Sequence, residues 1–197
     1  MSNKVSSCGL ILAGGAGRRV GGEDKGLLSW QGKPLIEHVA TRLSPQVDRL
    51  VISCNRNLDK YAQIGTALVQ DSRADFQGPL AGIEAATPHT IDSTYTIVVA
   101  CDTPLLPPDL VCRLLKPLSG ETRNAFDISY ANDGERDQYL CAAIRNSCLD
   151  SLKDYLANGQ RAVRHWYALQ RAIAVDFSDQ PGAFLNYNHL DATTGQH

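Results

Sequence analysis

No run of apolar residues in this sequence approaches the ~20 that a membrane-spanning helix needs. No two of its six cysteines form a Cys-x-x-Cys pair, which removes the zinc-ribbon and thioredoxin patterns. There is no large excess of charge: a net −2 offers no electrostatic case for nucleic acid or for an anionic membrane. Internal repeats, low-complexity tracts and interdomain linkers are missing too, so residues 1–197 are expected to form a single domain. The N-terminal apolar run is short and leads into charged residues and glycines, unlike a signal peptide. Cys8, Cys54, Cys101, Cys112, Cys141 and Cys148 are spread through apolar segments, which fits reduced, buried thiols in a cytoplasmic protein.

What charge there is sits unevenly. Residues 1–33 hold five cations (Lys4, Arg18, Arg19, Lys25, Lys33) against two anions (Glu23, Asp24), a local +3 that leaves −5 for the rest. That asymmetry suits a small anionic ligand at the N-terminal end. The stretch responsible runs from Gly9 to Lys25. Gly9-Leu10-Ile11-Leu12-Ala13 is a short apolar run bounded by glycine and reads as a buried strand. It opens into Gly14-Gly15-Ala16-Gly17-Arg18-Arg19-Val20-Gly21-Gly22-Glu23-Asp24-Lys25. Glycines after a strand allow tight turns and bring backbone N–H groups close to a bound group. Peptide N–H groups and cationic side chains together make a phosphate cradle. The dinucleotide fingerprint fails, because Val20 stands where its last glycine belongs. The P-loop fails as well, because Lys25 follows Asp24 and precedes Gly26. A solvated, glycine-rich surface turn remains the alternative reading of the loop.

Further along, Leu35, Ile36, Val39, Ala40 and Leu43 fall at helical spacing, predicting a helix over 34–44 that Pro34 begins and Pro45 stops. His38 on it fits a structural or surface role. Strands follow at 50–53 and 67–70, with a short helix near 58–64 between them. This β-α-β-α-β order opens a doubly wound, mostly parallel α/β sheet, in which ligands bind beyond the carboxyl ends of the strands. Gly14, Asn55 and Asp71 all fall at or just past such ends. Taken singly, Asn55 and Asp71 also fit turn residues that bond their own backbone. Gly78-Pro79-Leu80-Ala81-Gly82 leads into a helix to about Thr87, and 94–100 is a strand rich in β-branched residues. It runs into Cys101-Asp102-Thr103-Pro104, where an aspartate leaving a central strand is the expected seat of a Mg²⁺ ligand. A helix N-cap or turn is the other role open to Asp102. Pro107-Pro108-Asp109-Leu110 opens a helix to Leu115.

The second half predicts strands at 126–130 and 139–144 around a charged Gly134-Glu135-Arg136-Asp137 loop, and a helix at 147–157. A short helix beginning with Arg161 and Arg164, a strand at 172–175 and another at Phe184-Leu185 complete the reading.

Leu-Ala-Gly-Gly, then Gly-Arg-Arg-Val-Gly-Gly, Asp-Lys-Gly-Leu-Leu and Gly32-Lys33-Pro34-Leu35 resemble the N-terminal signature of nucleotidylyltransferases, and more narrowly of the molybdenum cofactor guanylyltransferases. The resemblance continues through Asn55-Arg56, Gln70-Asp71-Ser72, Gly78-Pro79-Leu80-Ala81-Gly82, Cys101-Asp102-Thr103-Pro104, Gly134-Glu135-Arg136-Asp137, Val175-Asp176-Phe177-Ser178-Asp179 and Asn186-Tyr187-Asn188. It implies a Rossmann-like nucleotidyltransferase fold with a small acceptor-binding lobe, 1–120 being the GTP-binding half and 121–197 the acceptor-binding half. It implies an enzyme that transfers GMP from GTP to the terminal phosphate of molybdenum-bearing molybdopterin and releases pyrophosphate. The implied phosphate and catalytic groups are Arg19, Lys25 and Asp102, with Asp102 holding Mg²⁺. Leu12, Ala13, Gly14, Lys25, Asn55, Asp71 and Asp102 would bind GTP, aided by a helix N-terminus after Gly82. Arg136, Arg161, Arg164, Asn186 and Asn188 would bind molybdopterin, although Arg161 and Arg164 also fit plain surface charges.

The sequence departs from the family pattern in three places. Ser53 replaces the first of two asparagines after the second strand, Gln138-Tyr139 replaces a His-Pro, and His189-Leu190 replaces a Thr-Pro. The alternatives are a related enzyme using CTP or acting on a sugar or alditol phosphate, and a non-catalytic nucleotide-binding domain. The remaining expectations are a monomer with transient contacts to other proteins of the pathway, and no nucleic-acid or membrane partner.

Overall fold

Continuously buried strands build the centre of this molecule. In the computed structural model, residues 6–14, 23–64, 67–71, 78–119, 126–180 and 182–187 are described. The strands in chain order are β1 (Ser7–Leu12), β2 (Ser29–Trp30), β3 (Lys33–Pro34), β4 (Arg49–Ser53), β5 (Ala67–Val69), β6 (Tyr95–Ala100), β7 (Ile128–Asn132), β8 (Asp137–Arg145) and β9 (Ala172–Asp176). The α-helices are α1 (Leu35–Leu43), α2 (Leu58–Ala62), α3 (Pro79–Thr90), α4 (Leu110–Leu115), α5 (Leu149–Ala157) and α6 (Val163–Ala168).

Seven strands form one sheet in the order β5-β4-β1-β6-β8-β7-β9. Only β8 runs antiparallel to its neighbours; β1 pairs in parallel with both β4 and β6. This is the expected mostly parallel α/β sheet, and β7 to β9 extend it without a break. Successive residues of a strand face opposite sides. Ile11, Ile52 and Val99 therefore pack with Ile36, Val39 and Leu110 on one face. Leu10, Val51 and Val98 pack with Leu80, Ile83, Leu152 and Trp166 on the other. Covering both faces is what makes β1 and β6 read as continuous apolar runs. No described helix is long and apolar enough to cross a membrane.

Several boundaries differ from the sequence reading. Pro34 does not begin the first helix: it pairs with Ser29 in the β2–β3 hairpin, and α1 starts one residue later. α3 continues past Thr87 to Thr90 with Pro88 inside it, because the Thr87 carbonyl still accepts the Ile91 N–H at 3.0 Å. Its N-terminus lies at Pro79, so Gly82 is inside the helix rather than ahead of it. The helix after Pro107 begins only at Leu110. Arg161 precedes α6 instead of starting it. Phe184-Leu185 is not a strand; two backbone turns, Ala183 N–H to Gln180 O at 3.2 Å and Leu185 N–H to Gly182 O at 3.2 Å, shape that segment. Phe184 is buried in the core on the α1 side of the sheet and meets Phe177 edge-on, 5.4 Å between ring centroids.

Candidate functional site

Sheet register aligns the candidate residues. Val69 pairs with Ser53, Ser53 with Leu12, and Leu12 with Ala100, so four parallel strands end in one row. Two residues beyond that row stand Asp71, Asn55, Gly14 and Asp102. Four positions spread over 89 residues of sequence thereby reach one rim, where ligands of such sheets bind.

On the β1–β4–β5 side, Asn55 ties three strand ends together. Its Nδ2 donates to Asp71 Oδ2 at 2.8 Å and to the Gly14 carbonyl at 3.4 Å, and its Oδ1 accepts the Asp71 N–H at 2.8 Å. A Cβ at Gly14 would stand 3.0 Å from Asn55 Nδ2, so a side chain there would press on the bridge. Burial raises the pKa of the Asp71 carboxyl, and the Asn55 amide and then the Ser53 hydroxyl pull it back. The pull of Ser53 does not amount to a hydrogen bond at Oδ1, which is buried and unpartnered by protein groups.

On the β6 side, Asp102 is buried, with 7% of the residue exposed, and its Oδ2 stands 3.4 Å from Lys25 Nζ. No helix starts at Asp102; α4 begins at Leu110, so the N-cap role is not taken up. Thr103 Oγ1 donates to the Ala100 carbonyl at 2.9 Å and fixes the turn leaving the strand. The Tyr187 N–H donates to the Asp102 carbonyl at 3.0 Å, which brings the chain around Asn186 back to this rim. Tyr187 also rests against Trp30, 5.0 Å between ring centroids. His38 is structural: its Nε2 lies 2.9 Å from the Trp30 carbonyl and its ring meets Trp30 edge-on.

A cleft of about 480 Å³ opens beyond the carboxyl end of β6, beside the first half of β8, with Lys25, Asp102, Gln138, Tyr139, Arg164 and Asn186 in its wall. β8 supplies much of that wall because its pairing with β7 slips: Tyr130 pairs with Ala142, but Ala131 pairs with Gln138. Residues 139–141 form the bulge between those pairs and line the cleft, as bulges beside sites commonly do. The structure thus brings Lys25, Asp102, Arg164 and Asn186 together. Leu12, Ala13, Gly14, Asn55 and Asp71 form the adjoining part of the rim. Arg136 is exposed in the β7–β8 turn, and Arg161 is not in the cleft wall. Arg161 Nη1 donates to the Leu156 carbonyl at 2.9 Å and the Gln160 carbonyl at 2.6 Å, at the end of α5. Arg19 and Asn188, with Arg18 and most of the glycine-rich loop, lie outside the described residues.

All six cysteines are free; five are buried as expected, and Cys112 is exposed on α4. Burial, then the neighbouring Asp102 carboxylate, drives the Cys101 thiol pKa well up. Burial pushes Cys141 up to about 12. Both stay protonated at neutral pH, which suits a structural role and not a nucleophilic one. Among the described residues no three His, Cys, Asp or Glu side chains gather as a metal cage. One buried carboxylate facing an open cleft fits Mg²⁺, which takes one or two carboxylates and completes its shell with phosphate oxygens and water. Sequence reasoning noted Gln138-Tyr139 only as a departure from the family pattern and missed their place in the cleft wall. The apolar-polar mixture at 138–141 carries no signal of a bulge.

The MobA-like NTP transferase domain family matches residues 9–174. A Shewanella amazonensis protein named molybdenum cofactor guanylyltransferase is 45% identical over 91% of this chain and 89% of its own length. A protein of the same name from Shewanella baltica is 43% identical over 95% of this chain and 93% of its own. The crystal structure of molybdopterin-guanine dinucleotide biosynthesis protein A from Archaeoglobus fulgidus superposes with a TM-score of 0.75 over 93% of both chains at 24% identity, a likeness of fold. With a sheet of this topology and a family match over most of its length, the chain belongs to the MobA-like NTP transferase domain family.

Proposed function

We propose that this protein transfers GMP from GTP to the terminal phosphate of molybdenum-bearing molybdopterin and releases pyrophosphate. The observation that carries the reading is the Lys25–Asp102 pair, 3.4 Å apart at the wall of an open cleft. The names of relatives at 45% and 43% identity support the choice of nucleotide and acceptor.

The chemistry needs little from the protein in the way of proton transfer. The acceptor phosphate is already an anion, so no general base has to create the nucleophile. One of its oxygens forms a bond to the α-phosphorus of GTP as the bond to the bridging oxygen breaks and pyrophosphate leaves. The obstacle is repulsion between an anion and a triphosphate, which in-line positioning and charge neutralisation overcome. Lys25 holds phosphate oxygens, and Arg19 is proposed to join it. Asp102 would hold Mg²⁺, which supplies charge neutralisation and orients the phosphates when bound. Without nucleotide, the Lys25 ammonium offsets the buried Asp102 carboxylate, so neither charge stands uncompensated at the cleft. Leu12, Ala13, Gly14, Asn55 and Asp71 receive the nucleoside end. Arg136, Arg161, Arg164, Asn186 and Asn188 serve the pterin side, with Arg164 and Asn186 in the cleft wall. In this reading residues 1–120 bind GTP and 121–197 bind the acceptor. The protein works in the cytoplasm as a monomer with transient contacts to other proteins of the pathway.

Thermal stabilisation by GTP, CTP, ATP and UTP, each with and without Mg²⁺, tests the nucleotide half. A ligand that binds only the folded state raises its stability with concentration. The expected result is a selective shift with GTP that grows with Mg²⁺. A selective CTP shift would point to cytidylyl transfer, and no shift with any nucleotide would overturn the reading.

A further inference from the structure

Tyr61 is a buried titratable group for which phosphoryl transfer has no direct use. Its residue is 0% exposed and its ring packs in the core on the α1 side of the sheet. Its hydroxyl is not spent inside that core. It donates to Asp24 Oδ1 at 2.5 Å. Asn57, which precedes α2 with a left-handed φ of 52°, donates its Nδ2 to Asp24 Oδ2 at 3.0 Å. Both carboxylate oxygens of Asp24 are therefore held by the α2 segment.

An aspartate just ahead of a helical turn usually caps it by accepting a backbone N–H of that turn. Asp24 stands just ahead of the 3₁₀ turn Lys25–Leu27 and makes no such side-chain bond. Only its backbone carbonyl serves the turn, accepting the Leu27 N–H at 3.0 Å. The carboxylate is a tether to the core, not a cap. Gly26 completes the attachment. A Cβ there would fall 2.5 Å from Tyr61 Oη, so only a residue without one lets the turn run this close to the ring. Lys25 sits between these two fixed points, and its ammonium stands 3.4 Å from Asp102 Oδ2. Burial, then the Asp24 hydrogen bond, drives Tyr61 ionisation far above the ordinary phenol value. The hydroxyl is thus a proton donor at any working pH.

We infer that Tyr61 is a positioning residue for Lys25: through Asp24 it fixes the turn that aims the ammonium at the phosphate side of the cleft. A lysine stem has several free rotors, and anchoring its backbone lowers the ordering cost of binding. This role rests on the reading that Lys25 holds nucleotide phosphate.

The test is the affinity for GTP, by titration calorimetry, of the wild-type protein, Tyr61→Phe, Lys25→Ala and the double variant, with melting curves for each. Tyr61→Phe is expected to weaken GTP binding about tenfold in a folded protein, the scale of one hydrogen bond to a charged group. Lys25→Ala is expected to weaken it further, and the double variant to bind no more weakly than Lys25→Ala alone, because no ammonium is left to aim. Asp24→Ala breaks the same tether without opening the core, and is expected to show the same loss and the same dependence on Lys25. Wild-type affinity in Tyr61→Phe and Asp24→Ala overturns the role. So does an undiminished tenfold loss in the Lys25→Ala background, which would mark Tyr61 as structural only. If Lys25→Ala itself binds GTP like the wild type, the phosphate reading of Lys25 fails and the positioning role falls with it.

Discussion

Asn55 and Asp71 are locked to each other by two reciprocal hydrogen bonds, side chain to side chain at 2.8 Å and Asp71 N–H to Asn55 Oδ1 at 2.8 Å. The pair holds a carboxyl whose pKa burial has raised above its ordinary 3.8. A carboxyl raised in the folded state binds its proton more tightly there than in the unfolded chain. Its favourable contribution is complete below the unfolded pKa and is lost as the pH rises through the folded value, so at neutral pH the charged form is a net cost to the fold. Asp71→Asn keeps an acceptor for the Asn55 amide and removes that charge. Its melting temperature is expected to exceed that of the wild type at pH 7, and the difference to narrow as the pH falls toward 3.8. Nucleotide affinity is expected to fall in the same variant. Melting curves across this range check the first point; a variant less stable than the wild type at pH 7 would contradict it.

Lys25 faces Asp102 across 77 residues of sequence. Truncating Lys25 removes a cation from the phosphate path and strips a buried carboxylate of its partner. Lys25→Ala is expected to lower the rate of GMP transfer by roughly 10²–10³-fold, the usual effect of one electrostatic donor. Steady-state pyrophosphate release measures it, and unchanged kinetics would reject Lys25 as a phosphate contact.

Arg164 and Arg161 stand three residues apart in different settings. Arg164 is in the cleft wall, whereas Arg161 donates to the Leu156 and Gln160 carbonyls. Arg164→Ala is therefore expected to raise the KM for the pterin acceptor severalfold while leaving GTP affinity intact. Arg161→Ala is expected to cost about 1 kcal/mol of stability through its lost hydrogen bonds, with the smaller change in KM. Parallel kinetics and melting curves separate the two, and the reverse assignment would contradict the placement.

The sequence carried the sheet well and its second half less so. The first β-α-β-α-β run and the strand that follows it were legible because Leu10-Ile11, Val51-Ile52 and Val98-Val99 are buried on both faces of the sheet. The rim was legible for the same reason: once the strand ends are known, Gly14, Asn55, Asp71 and Asp102 follow. The bulge at 139–141 was not, since it comes from a slip against β7 that no local pattern encodes. Phe184-Leu185 looked like a strand because it is apolar, yet Phe184 is buried by tertiary packing that includes Phe177, with no strand pairing. The tether from Tyr61 to Asp24 joins a helix to a loop 37 residues away and leaves only a faint trace, the glycine at position 26.

The most direct measurement is the transfer of α-phosphate label from GTP to molybdenum-bearing molybdopterin by the wild-type protein and by Asp102→Ala. Tyr187 bonds the backbone carbonyl of Asp102 and not its carboxylate, so that variant keeps this contact. The account predicts labelled product with one pyrophosphate per transfer from the wild-type protein, little or none from CTP, and a folded Asp102→Ala variant that does not turn over. Near-normal transfer by Asp102→Ala, or label moving from CTP in preference to GTP, would contradict it.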